Sequence, residues 1–120
     1  MLDFLLTRDF AGCDELRVQA QSAQTTGLSC TCGCPSFSLQ ADRTLPPASV
    51  AERTPTDAHG TDPAGSQIGV MLFVDDGYLS EVEIYILDDG RFAGLPDPLE
   101  LKLSQWSDLD ASGSRRLLNP

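Results

Sequence analysis

Residues 67 to 87 constrain this chain more than any other stretch. Gln67 to Val74 is a nearly continuous apolar run, the pattern of a strand in the middle of a sheet. Asp75-Asp76-Gly77 follows, a hairpin signal in which Gly77 can take positive φ without steric cost. Tyr78 to Leu87 then alternates. Val82, Ile84 and Ile86 point one way, and Glu81, Glu83 and Tyr85 point the other. The apolar face must be buried, so a one-residue slip would expose it, and the register is well specified. Asp88-Asp89-Gly90 supplies the turn that closes the unit.

The rest of the chain arranges itself around this hairpin. Leu2, Leu5 and Leu6 have helical spacing, Asp9-Phe10-Ala11-Gly12 breaks it, and a second helix is expected from about Gly12 to Ala23. Asp14 and Glu15 favour the first turn of that helix, and Leu16 and Ala20 share a face with Cys13. Leu28 to Cys32 reads as a short strand, and Ser36 to Gln40 alternates, with Phe37 and Leu39 on one face. Leu45-Pro46-Pro47 is a rigid connector. Ser49 to Thr54 suits an edge strand that Pro55 ends, and His59 to Ser66 reads as a turn or mobile loop. Leu99, Leu101 and Leu103 alternate in a further short edge strand.

A helical segment followed by strands predicts an α+β fold: an N-terminal helical segment packed on an antiparallel meander β-sheet of about four to five strands. A chain of 120 residues suits one domain and can bury enough surface to fold without disulfides or metal. That domain is expected over residues 1–107, with a frayed C-terminal tail over 108–120.

The stretch from Gly69-Val70-Met71-Leu72-Phe73-Val74-Asp75-Asp76-Gly77 through Tyr78-Leu79-Ser80-Glu81-Val82-Glu83-Ile84-Tyr85, followed by Leu95-Pro96-Asp97-Pro98, resembles a family of small uncharacterised bacterial proteins. The family pattern is an apolar strand, an Asp-Gly turn, a strand ending Leu-Glu-Ile-Tyr, and a Leu-Pro segment. Val82 stands here in place of the leucine. Asp9-Phe10-Ala11-Gly12 is similar to the family's Asp-Phe-Pro-Gly, with Ala11 in place of proline. The resemblance implies the fold and brings no activity with it.

Charge narrows the classes of function. Eighteen acids against eight bases give a net charge of −10, with the bases scattered. Such a surface repels phosphate backbones and anionic lipids, so neither nucleic acid nor membrane is expected as a partner. No apolar run approaches the roughly 20 residues that cross a bilayer. The opening residues include acids and no basic n-region, so a secretory signal is not expected and the cytoplasm is the expected compartment. His59 is the only histidine, and neither a P-loop nor Gly-x-Gly-x-x-Gly occurs. Enzymatic activity is therefore not the favoured expectation, because Ser or Cys nucleophiles would all depend on one loop histidine as base.

Two constellations carry functional readings. Residues 75 to 100 hold Asp75, Asp76, Glu81, Glu83, Asp88, Asp89, Asp97 and Glu100 against Arg91 alone. The favoured reading is a non-enzymatic interaction module whose acidic face, with Asp75, Asp76, Glu81, Glu83 and Tyr85, docks a basic protein. Turn chemistry and solubility explain the same acids more plainly. The Asp-Asp-Gly turns lack the alternating ligands and closing glutamate of a calcium loop. In the alternative reading Cys30, Cys32 and Cys34, two apart in an extended strand, converge with Cys13 or His59 on zinc. Against it, no second Cys-x-x-Cys knuckle exists, and reduced cysteines pack well as small hydrophobes, so no cofactor is the leading expectation. An open sheet also leaves an edge and a face that a homodimer would cover, and Trp106 either reaches across to a partner or folds back onto the sheet.

Overall fold

The computed structural model describes residues 1–26, 35–88, 90 and 94–120. Two helices, α1 (Leu2–Leu5) and α2 (Cys13–Ala20), precede the strands. The strands are β1 (Gln24–Thr25), β2 (Phe37–Gln40), β3 (Thr56–Thr61), β4 (Gln67–Asp75), β5 (Tyr78–Ile86) and β6 (Leu101–Leu103). They form one antiparallel sheet in the order β1-β2-β5-β4-β3-β6. The fold is thus α+β, with six strands among the described residues where four to five were expected. A central β3-β4-β5 meander is flanked by β2 and β6, and the two edge strands are only two and three residues long. Short edges of this kind limit edge-to-edge association. Among the described residues no helix is long and apolar enough to cross a membrane.

The β4–β5 hairpin turns through Asp76 and Gly77, both at positive φ (54° and 85°). Two such residues make the type I′ turn, whose twist matches that of paired strands. Pairing runs Gly69↔Tyr85, Met71↔Glu83 and Phe73↔Glu81, then shifts to Val74↔Leu79 and Asp75↔Tyr78. The shift is a bulge at Ser80, which lets Leu79 and Val82, three residues apart, both face the core. At this bulge two backbone N–H groups bond outside the hairpin: Leu79 to Gln19 Oε1 (3.0 Å) and Val74 to the Arg53 carbonyl (2.8 Å).

The core lies between the helices and one sheet face. Leu5, Leu6 and Leu16 pack with Ile68, Val70, Leu72, Val74, Leu79, Val82 and Ile84. Gln19, on α2, is fully buried in this layer. Its amide donates to the carbonyls of Pro46 (3.2 Å) and Gly77 (3.0 Å) while its oxygen holds the Leu79 N–H. One side chain thus joins helix, proline connector and hairpin turn. Arg17 ties the segment between the helices by donating to the carbonyls of Leu6 and Arg8 and to the carboxylates of Asp9 and Asp14. Ser36 extends the β2–β5 ladder, with its hydroxyl accepting from Ile84 N (2.8 Å) and donating to Ile84 O (3.2 Å).

The third strand departs from the sequence expectation. Residues 51–54 are bends, and β3 begins at Thr56, after Pro55. His59, expected in a loop, lies inside it. The alternation of β3 is muted (Thr56 and Ala58 inward, Asp57 and His59 outward), and pairing with β4 on one side and β6 on the other makes it a strand. The expected strand over 28–32 lies outside the described residues.

Residues 105–118 return on themselves. Ser107 N donates to Arg116 O (2.8 Å), Leu118 N to Gln105 O (2.6 Å), and Trp106 bridges Leu117. Asp110 accepts from Ser112 N and Ser114 N at the tip. Asn119 fastens the return with its side chain, accepting from Gln105 N and donating to Leu103 O, both at 2.8 Å. Residues 108–120, the tail expected to fray, supply the tip and the returning limb of this segment.

Candidate functional site

Among the described residues no helix lies on the second face of the sheet. From β5 it carries Glu81, Glu83 and Tyr85, from β4 Met71 and Phe73, and from β3 Asp57 and His59. The register lines up Glu83, Met71 and Asp57 across three strands, with Glu81 beside Phe73. Glu81, Glu83, Met71, Phe73 and Tyr85 are all half-buried. Among the described residues neither Glu81 nor Glu83 has a hydrogen bond or ion pair. The face is therefore an acidic row resting on apolar and aromatic side chains.

This face runs into a cleft walled by the C-terminal return. Trp106, 45 % exposed, donates its indole N–H to both carboxylate oxygens of Asp57, at 2.9 and 3.1 Å. Arg115 on the returning limb pairs with Glu52 at 2.8 Å. Glu52, Thr54, Asp57, Trp106 and Arg115 line two adjoining lobes. One, of about 290 Å³, extends to Met71 and Tyr85; the other, of about 270 Å³, extends to Arg8, Phe10 and Ala11. Burial pushes the Tyr85 phenol up, and the charges of Asp57 and Glu83 push it further, so it stays a neutral donor at physiological pH.

Comparison with known proteins finds no matching family model, no matching curated protein and no matching solved structure.

The acids picked out from sequence separate into two groups. Glu81, Glu83 and Tyr85 share the open face. Asp75 instead takes two bonds from Arg53, at 2.7 and 3.2 Å, and Arg53 also lies 4.7 Å from the centroid of the Phe73 ring. Arg53 thus partners Asp75. Asp76 is exposed in the turn. Asp88 accepts from Gln67 N and Gly90 N, and Asp97 from Leu99 N, so both serve backbone turns.

His59 has a structural place, with Nδ1 2.8 Å from Ser104 Oγ and Nε2 2.8 Å from the Asn119 carbonyl. The carbonyl can only accept, so Nε2 is the donor of that bond, and Nδ1 shares the second with the almost fully buried Ser104 hydroxyl. Cys13 is buried in the first turn of α2, its sulfur 4.0 Å from Asp9 Oδ1. Cys30, Cys32 and Cys34 lie outside the described residues. Among the described residues no group of three or more His, Cys, Asp or Glu side chains is placed to hold a metal.

Sequence reasoning did not single out Asp57, Glu52, Met71 or Arg115 as site residues. Asp57 and Trp106 are 49 positions apart, and nothing local in either segment signals the other. The one available signal was Trp106 itself, a large aromatic in a polar stretch, which folds back onto the sheet and finds a carboxylate for its N–H.

Proposed function

We propose that this protein is a non-enzymatic binding module that takes a basic segment of another protein on the open face of its sheet. The observation that carries this reading is the pair Glu81 and Glu83: half-exposed, in no hydrogen bond or ion pair among the described residues, and set beside Met71, Phe73 and Tyr85. Neighbouring acids support it by contrast, since Asp75, Asp88 and Asp97 are engaged by Arg53 or by backbone N–H groups. An acidic row speeds encounter with a basic partner and selects against acidic ones, while the apolar side chains beneath supply contact area. The net charge of −10 acts in the same direction at longer range. The only histidine is occupied in fastening the C-terminal segment, which argues against acid–base catalysis on this face. The same reading keeps the cytoplasmic location expected from sequence, and keeps the likeness of the hairpin to small bacterial proteins as a proposal about ancestry.

The test is a titration followed by amide NMR, using a peptide of alternating lysine and valine as probe. Chemical-shift changes are expected at the open-face positions of β4 and β5, weakening as salt rises. The double variant Glu81→Gln/Glu83→Gln should lose them. Changes spread evenly over the acidic turns at Asp42, Asp97 and Asp110, or none at all, would overturn the reading.

A further inference from the structure

We propose that the Tyr85–Trp106 lobe of the cleft is the seat of one arginine side chain from that basic partner segment. The inference rests on the interaction reading above and adds the residue that anchors it. The lobe, about 290 Å³, joins the open face at Tyr85 and Met71, so a chain lying along the acidic row reaches it without leaving the sheet. Two of its walls are aromatic, and ring faces attract guanidinium and ammonium groups.

The Trp106 wall is held in place. Its N–H is anchored on Asp57, and each Asp57 oxygen keeps a lone pair for a further donor. Glu83, paired across the strands with the lining residue Met71, adds a second carboxylate beside the lobe, in no hydrogen bond or ion pair among the described residues. A planar guanidinium suits this set better than an ammonium, because it stacks on an indole and forks onto a carboxylate at once. The chain already places one guanidinium in the lining: Arg115 is matched to Glu52 at 2.8 Å, and among the described residues Asp57 and Glu83 have no ion-pair partner. An anionic ligand would meet those carboxylates at contact range, and a purely apolar one would strip water from them without compensation.

Trp106 is the only tryptophan, so its fluorescence reports on the lobe directly. The probes are the capped pentapeptide Gly-Ala-Arg-Ala-Gly and the same peptide with citrulline, a neutral isostere, in place of arginine. A saturable change in emission is expected with the arginine peptide, and binding about tenfold weaker with citrulline. Asp57→Asn retains an oxygen for the indole N–H but loses the charge, and should weaken the arginine peptide severalfold with an unchanged melting temperature. Glu83→Gln should weaken it in the same sense. Equal responses to the two peptides, or no response, would overturn the proposal. If Trp106 is silent while the lysine–valine probe still shifts the Glu81 and Glu83 amides, the seat is wrong and the face reading stands. If both are silent, both fall.

Discussion

The phenol ring of Tyr85 fills the space that a side chain on Gly69 would need: a Cβ at residue 69 would overlap the ring and its hydroxyl. The two residues are directly paired across β4 and β5. Glycine weakens a strand, and an aromatic laid over it from the neighbouring strand restores the lost cover. Gly69→Ala must therefore push Tyr85 off its site. The overlapping atoms are the far end of a half-buried side chain, so the ring can swing aside. The expected net change in stability is small, within about 1 kcal/mol, measured by urea unfolding. Because Tyr85 is a wall of the cleft, the same variant should also change Trp106 emission in the folded state.

Gln19 is the buried link between helix and hairpin. In Gln19→Leu the packing volume survives but the Leu79 N–H loses its acceptor, while the Gly77 carbonyl keeps the bond from Ala48 N (2.7 Å). One buried unsatisfied donor is expected to cost about 2 kcal/mol. A fall in urea midpoint at unchanged slope would show that the loss lies in stability and not in compactness.

Thr56 runs the other way. Its side chain is 1 % exposed and its hydroxyl has no hydrogen-bond partner among the described residues. Thr56→Val replaces that hydroxyl with a methyl of similar shape and is expected to stabilise the protein by about 1 kcal/mol. Thermal unfolding of the two forms side by side checks it.

Acid should weaken this fold in part through exposed carboxylates that hydrogen bonds hold below their ordinary range, an effect that solvent screens. The Arg53 guanidinium, with Ser80 second, holds Asp75 below its ordinary range, and the Gln67 and Gly90 N–H groups do the same for Asp88. A folded-state pKa below the unfolded value of about 3.9 gives stability that is present above that value and is lost as pH falls through the folded one. Urea midpoints should therefore be flat near neutrality and fall below about pH 4. Asp88→Asn removes one of these groups and should flatten the acid limb. An unchanged limb would show that the Asp88 bonds do not persist in solution.

The hairpin was legible in the sequence because every local signal agreed: an apolar run, a turn requiring positive φ, and an alternating strand. The strand β3 was not. Thr-Asp-Ala-His-Gly-Thr offers weak strand propensity, and Pro55 with Gly60 reads as punctuation. Gly60 in fact marks close backbone approach, since a Cβ there would overlap the Glu100 carbonyl beside β6. The bulge at Ser80 was hidden for another reason. Strict alternation sorts Val82, Ile84 and Ile86 correctly, but it cannot place Leu79 on the same side. The open face was half legible: Glu81, Glu83 and Tyr85 follow from period two, whereas Asp57 and Trp106 meet only through the path of the chain after β6.

The return that walls the cleft shares little with the core. Its fastenings are polar and peripheral (Asn119 on β6, His59 on the Asn119 carbonyl, Arg115 on Glu52), whereas the sheet is held by aliphatic packing under the helices. Elements joined in this way open with separate free energies. Amide hydrogens of residues 105–118 should then exchange in a regime of their own, ahead of those in β4 and β5. A ligand gripping Trp106 would have to draw the open and closed forms of this wall toward the closed one, so its apparent affinity would carry the closed fraction as a factor. Binding strength in this protein would thus be adjustable by substitutions in the return that leave the melting of the sheet untouched.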